Sequence, residues 1–312
     1  THMAASRTLI TVAWSLQRAQ YGEQPYWMAA TLAAMLGQVG LPGGGIGYGY
    51  GAIGGIGVPL KRLSRPSLSR GQNAVSDFIP VARIADMLLN PGQPYSFNGN
   101  HNEYPDIRLV YWCGGNPFHH HQDLNRLREA WKQPETIIVH EPWWTATAKH
   151  SDIVFPATTP YEREDIARSA TDSFLFHMPE LISPLNDAWD DYQIFSELAA
   201  RLYIDEVYTE GRDADAWLRY LYQGFQRDSA DQGVDLPDYD SLRATNWVEL
   251  PISGAEHALI PFEKFRADPK TAPLDTPSGR IEIFSETVDS FGYDDCPGHP
   301  VWRAPDEWLG AV

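Results

Sequence analysis

The sequence predicts an α/β fold, a parallel-sheet domain with a smaller, irregular α+β lobe behind it, and three observations lead there. The apolar, β-prone runs Ile107 to Trp112 and Thr136 to His140 bracket a loop and a helical stretch, forming a β-loop-α-β unit. A third short run, Ser151 to Pro156, follows a helix expected near Thr145 to His150, so strands and helices alternate as a parallel sheet requires. From Pro179 the character changes to amphipathic helices joined by Pro- and Asp-rich segments, which divides the chain into residues 1–178 and 179–312.

Leu9 to Ala13 is a short β-prone run, and Tyr26 to Val39 carries Trp27, Ala30, Thr31, Ala34, Met35 and Gln38 at helical spacing, with Gly40 as the stop. Residues 41–59 hold nine glycines and no periodic apolar face, which predicts a long flexible surface loop. Within it Gly49 to Gly54 matches G-x-G-x-x-G, but that fingerprint must follow a strand and open a helix, so it is set aside. Val81 to Leu89 reads as a helix closed by Asn90-Pro91-Gly92, and Pro94 to Pro105 as a polar, aromatic loop. Within the α/β unit a loop spans Cys113 to His121 and a helix runs from about Gln122 to Trp131. Further on, Asp191 to Tyr203 and Asp213 to Gln226 are amphipathic helices, Gly279 to Phe284 alternates like a strand, and Asp295 to Pro305 is irregular with three prolines.

With 312 residues and 43% hydrophobic content the chain can bury a sizeable core. A formal charge of -17, with Lys and Arg scattered among acids, argues against nucleic-acid binding. No apolar run approaches the roughly 20 residues that span a bilayer, and no secretory signal is visible. Cys113 and Cys296 are the sole cysteines, too few for an iron-sulfur ligand set, a Cys-x-x-Cys pair or a disulfide framework. No Ser or Cys sits in a nucleophile setting, which leaves Cys113 as a strand-end core residue.

Ligands of a parallel sheet gather outside the carboxyl ends of its strands, which directs attention to the loops that begin at Cys113 and His140. The first, Gly114-Gly115-Asn116-Pro117-Phe118-His119-His120-His121, combines glycines that admit a ligand to the backbone with imidazoles and an amide that hydrogen-bond. Adjacent histidines point apart, so a shared metal ion is disfavoured, and a helix start with capping or solvated imidazoles stands beside ligand contact as the alternative. Glu141 at a strand end suits a ribose hydroxyl or a guanine amino edge, and Arg163 in Glu162-Arg163-Glu164-Asp165 suits a phosphate, although such charge clusters are also ordinary solvated helix starts. Asp190-Asp191 and Asp294-Asp295 read as caps or solvated carboxylates.

Five groups of segments, in order, give a resemblance: Trp14 to Arg18 with Tyr21 to Met28 and Leu36 to Gly45; Trp112 to Arg126; His140 to His150; Pro156 to Thr159; and Thr276 to Ser285. Together they resemble the dimethyl sulfoxide, trimethylamine N-oxide and biotin sulfoxide reductases, a branch of the molybdopterin oxidoreductases, over nearly the whole chain. The resemblance implies a molybdenum cofactor held by two molybdopterin guanine dinucleotides and a protein serine, and two-electron reduction of an S-oxide or N-oxide to the sulfide or amine. It implies cofactor contacts at Trp14, Ser15, Arg18, Asn116, His120, His140, Glu141, Arg163 and Asp191, with no catalytic residue and no protein metal ligand in this chain.

In that family the metal-binding serine and active-site aromatics lie upstream of the matching region and a dinucleotide-binding domain lies downstream. The chain is accordingly expected to be an internal part of such an enzyme, a partial copy of its multidomain fold, without cofactor and inactive alone. The alternative is a non-catalytic binding or interaction protein that keeps the fold. The Gly-Asn-Pro-Phe-His-His-His run leans toward biotin sulfoxide reductases and with them a cytoplasmic setting, against a periplasmic one for the respiratory type. The electron donor is not indicated.

Overall fold

The computed structural model describes residues 2–47, 63, 66–169, 173–251 and 259–308. Contacts divide the chain into two compact units that interleave in sequence: residues 1–59, 95–102 and 253–312 form one, residues 60–94 and 103–252 the other.

The second unit carries the parallel sheet. Strands β5 (Leu109–Cys113), β6 (Thr136–Glu141) and β7 (Ile153–Pro156) lie side by side in that order, all parallel, with Cys113 opposite His140 and Glu141 opposite Pro156. The β-branched run of β6 takes the central place, with Ile137 and Val139 buried on one face and His140 on the other, as a strand covered on both sides demands. Ile107 to Trp112, which reads as a buried strand, instead supplies an edge strand of this sheet with Leu109 54% exposed.

The crossover helix Leu124–Ala130 begins where the Asp123 carboxylate accepts from the Arg126 amide, and turns Leu127 and Ala130 into the core. There they meet Leu88, Phe118, Trp131, Ile137, Val139 and Ala148. Helix Ile84–Leu89 joins the same core and ends at Asn90, as its Asn-Pro-Gly stop predicts. Helix Ala146–Lys149 is capped by the Thr145 hydroxyl.

A second, antiparallel sheet of β8 (Asp165–Ala167), β9 (Phe174–Met178) and β10 (Trp247–Glu249), in the order β10-β9-β8, stands in the same unit with its own core. Leu175 of β9 packs with Tyr222 and Phe225 of helix Ala214–Ala230 and with Tyr239 and Leu242 of helix Tyr239–Thr245. The helices expected after Asp191 and Asp213 form, running Asp191–Arg201 and Ala214–Ala230.

The first unit pairs β1 (Leu9–Thr11) with β2 (Gly45–Gly47) in parallel beside helix Glu23–Met35. Part of the glycine-rich stretch is thus a strand rather than a loop, while the G-x-G-x-x-G run lies outside the described residues. The helix ends before Gly40, with Gly37 in the left-handed region at φ 63° and the Arg266 guanidinium donating to the carbonyls of Gly37 and Val39.

Pro94 to Pro105, expected as a loop, contains the hairpin β3 (Pro94–Phe97) and β4 (Asn100–Glu103), turned at Asn98-Gly99 with positive φ at both. Gly279 to Phe284 is not a strand: the Gly279 amide bonds to Thr276, the Thr276 hydroxyl to the Arg280 carbonyl, and Ile283 and Phe284 stay exposed. Those backbone groups are consumed in a turn, and among the described residues the alternation has no partner strand. Among the described residues no helix is long and apolar enough to cross a membrane.

Candidate functional site

The loops that leave β5, β6 and β7 at their carboxyl ends, joined by residues 182–191, enclose a cleft of about 1110 Å³ wholly within the second unit. Six of the nine candidate residues line it: Asn116, His120, His140, Glu141, Arg163 and Asp191. Trp14, Ser15 and Arg18 belong to the first unit, exposed on the 3-10 turn Trp14–Arg18 that follows β1. That turn is tied down where the Tyr26 hydroxyl donates to the Ala13 carbonyl at 2.8 Å.

Each side chain reaches the cleft for a local reason. Gly114 and Gly115 carry β5 into the cleft with φ of 78° and 74°, a region that costs a residue with a Cβ roughly 1–2 kcal/mol. Asn116 precedes the short helix Pro117–His120 without capping it; its amide oxygen accepts from the wholly buried Thr147 hydroxyl, so the amide nitrogen is the group left for a ligand. His120 lines the cleft and His119 is exposed; burial, then the neighbouring His120, lowers the His121 pKa. Glu141 accepts from the Thr145 hydroxyl at 3.0 Å through one carboxylate oxygen. Trp143 and Trp144, 67% and 72% exposed, form an aromatic rim.

His140 is not a free imidazole. Its side chain is 2% exposed, its Nδ1 lies 2.7 Å from Asp191 Oδ1 and its Nε2 lies 2.8 Å from the Tyr111 hydroxyl. Both ring nitrogens are thus used inside the protein, and the partner Asp191, whose side chain is 56% exposed, lines the cleft. The preceding Asp190 is a plain N-cap, accepting from the Gln193 amide.

Arg163 donates to the Thr158 carbonyl at 3.2 Å and faces Asp165 at 3.4 Å, which holds its guanidinium at the cleft wall. Of its neighbours in the charged run, Glu164 turns away to the second core, where it meets His177, Tyr239 and Arg243. Glu162 is the residue local reading missed. It is buried, its Oε2 accepts from the Thr159 amide and hydroxyl, and its Oε1 accepts from the Leu185 amide across the cleft wall. Thr159-Pro160-Tyr161-Glu162 has the spacing of a capping box, and that signal was in the sequence.

The Thr159 backbone, then that of Leu185, holds the Glu162 carboxyl below its ordinary pKa. A depressed folded pKa stabilises the loop above the ordinary carboxylate pKa and loses that contribution as pH falls through the lowered value. Glu162→Gln is therefore expected to loosen residues 156–163 and 182–188 at pH 7, seen as faster amide exchange there, and to flatten the acid dependence of that exchange.

Cys113 ends β5 but is exposed rather than a core residue. Partial desolvation of its sulfur at the strand end, followed by the nearby Asp191 carboxylate, raises the thiol pKa to about 11. Thiolate is the reactive form, so Cys113 is expected to react with a disulfide reagent at pH 8 about one to two orders of magnitude more slowly than an ordinary exposed thiol. Asp191→Asn should speed that reaction, which a stopped-flow labelling assay would show.

The molybdopterin oxidoreductase family model matches residues 2–201. The chain is 50% identical over 307 residues to a biotin sulfoxide reductase of Cereibacter sphaeroides, covering 98% of this chain and 41% of that protein. It is 44% identical to a dimethyl sulfoxide/trimethylamine N-oxide reductase of Rhodobacter capsulatus, covering 98% of this chain and 38% of that one. A trimethylamine-N-oxide reductase of Haemophilus influenzae is 42% identical, with 99% of this chain and 39% of that protein covered. The chain thus spans about two fifths of the length of these relatives. With strands, glycine turn and charged loops meeting at one cleft, and with that match, the chain belongs to the molybdopterin oxidoreductase family.

Proposed function

We propose that the cleft holds one end of a molybdopterin guanine dinucleotide, and that the chain is the cofactor-binding part of a molybdenum-dependent S-oxide or N-oxide reductase. The observation that carries this reading is the convergence of an arginine, two carboxylates and an amide at the carboxyl ends of three parallel strands, where nucleotides bind α/β sheets.

The residues fit such a group. Among the described residues a Cβ built on Gly114 or Gly115 meets nothing within 4 Å, which leaves room at this strand end for a ligand to approach the backbone. Among the described residues the buried Thr158 hydroxyl at the cleft has no hydrogen-bond partner, as a group awaiting a ligand would have none. Arg163 supplies charge and paired donors for a diphosphate, Glu141 and Asp191 accept from ribose hydroxyls or guanine N–H groups, and Trp143 and Trp144 offer flat apolar faces. Trp14, Ser15 and Arg18 are proposed as cofactor contacts on the family match alone. When bound, the cofactor supplies the two-electron reduction that turns the oxide into sulfide or amine and water.

The higher identity to a biotin sulfoxide reductase than to the other two relatives supports an oxide of the biotin sulfoxide type, and with it a cytoplasmic setting. The test compares this chain with a polypeptide of the relatives' full length that contains it, measuring molybdenum and guanine nucleotide per protein and dye-driven reduction of biotin sulfoxide, dimethyl sulfoxide and trimethylamine N-oxide. Cofactor and turnover in the longer chain support the proposal; a longer chain that folds yet takes up no molybdenum contradicts it.

A further inference from the structure

We infer that Tyr111 is a positioning residue for the cleft: acting through the His140 ring, its hydroxyl fixes the Asp191 carboxylate in the orientation that meets a ligand donor. The inference rests on the reading of the cleft as a guanine-nucleotide site.

The relay follows from proton bookkeeping. An ionised carboxylate only accepts, so the 2.7 Å contact between Asp191 Oδ1 and His140 Nδ1 places a proton on Nδ1. In a neutral imidazole the other nitrogen is then a bare acceptor, and His140 Nε2, almost fully buried, must find a donor. It faces the Tyr111 hydroxyl at 2.8 Å. Burial first, then the nearby Cys113 and Asp191, raises the Tyr111 pKa, which keeps that proton on the phenol. With the ring neutral, the two bonds then run in one direction, O–H to nitrogen and N–H to carboxylate.

The ring has little freedom to choose otherwise. Tyr111 meets it edge-on at 5.3 Å between centroids, Phe155 edge-on at 5.6 Å, and Phe195 lies tilted against it at 4.8 Å. Asp191 opens helix Asp191–Arg201, with Oδ1 held by His140 and the second oxygen left for the cleft. Without the Tyr111 hydroxyl, Nε2 becomes a buried unpaired acceptor. The ring also loses the donor that favoured the Nδ1–H form, so its hold on Asp191 Oδ1 weakens.

Tyr111→Phe keeps the aromatic packing and removes only the donor. The test labels histidine nitrogens in this chain, with an H140Q spectrum for assignment, and titrates guanosine diphosphate by NMR. We expect a His140 ring protonated at Nδ1 and bare at Nε2 in the unsubstituted chain, and a shifted or mixed tautomer in Y111F. Y111F should bind guanosine diphosphate roughly five- to tenfold more weakly, the worth of one net hydrogen bond. D191N should bind it more weakly still, and adding Y111F to D191N should change nothing further. A ring signature and affinity unchanged in Y111F overturn the inference, as does an equal loss from Y111F in the D191N background. A tautomer that shifts in Y111F while D191N binds the nucleotide like the unsubstituted chain overturns the nucleotide reading at Asp191 and leaves the relay as a structural contact alone.

Discussion

Arg163→Ala is expected to weaken binding of guanosine diphosphate about 10- to 100-fold, the range for losing charge-assisted hydrogen bonds worth ~1.5–3 kcal/mol. The guanidinium is held over the cleft by the Thr158 carbonyl and Asp165, so little ordering entropy remains for a ligand to overcome. Arg163→Lys keeps the charge but loses the planar pair of donors, and should recover only part of the affinity. Because the Arg163 side chain is 30% exposed and its partner Asp165 39% exposed, neither variant should shift the unfolding midpoint appreciably. An NMR titration beside a urea melt checks both halves; an Arg163→Ala chain that binds guanosine diphosphate normally would remove the phosphate anchor from the account.

Leu127→Ala should do the reverse. Leu127 is 1% exposed at the centre of the core beneath the sheet, among Phe118, Trp131, Ile137 and Val139. Truncating such a leucine costs about 2–5 kcal/mol, the transfer of its methyls plus the cavity left behind. That is a large share of the roughly 5–15 kcal/mol that holds an ordinary domain together. The urea midpoint should fall with an unchanged m-value, and at low temperature the nucleotide affinity of the folded fraction should be close to normal. A loss below ~1 kcal/mol would show that the site collapses around the gap.

How far the sequence disclosed this structure depends on how local each signal was. The runs that form β6 and β7 and the helix capped by Asp123 were legible because apolar period and cap lie within a few residues of each other. The hairpin at Asn98-Gly99 was missed although the sequence carries the most direct short turn signal there is, because the surrounding polar residues hid its strands. Strand β8 was not legible, since Asp165-Ile166-Ala167 has no period and becomes a strand only by pairing with Phe174–Met178. The alternation of Gly279 to Phe284 misled because alternation alone says nothing of whether a partner strand exists.

The cleft divides in the same way. Loop positions after strands pointed to Asn116, Glu141 and Arg163, and the structure places them on one wall-to-wall cavity. Glu162 carried a capping signature that charge clustering obscured. The part played by His140 could not be read locally: its partners Tyr111 and Asp191 lie 29 and 51 residues away and meet it only after the sheet forms. Burial leaves that ring between the two with both its nitrogens hydrogen-bonded inside the protein.

The most direct test is amide hydrogen exchange of this chain with and without millimolar guanosine diphosphate. The account predicts slower exchange in residues 113–120, 140–145 and 156–163 and at the start of helix Asp191–Arg201, with helix Ala214–Ala230 unchanged. Protection confined to other parts of the chain, or none at a concentration that saturates a titration, would contradict the claim that this cleft is where the nucleotide end of the cofactor binds.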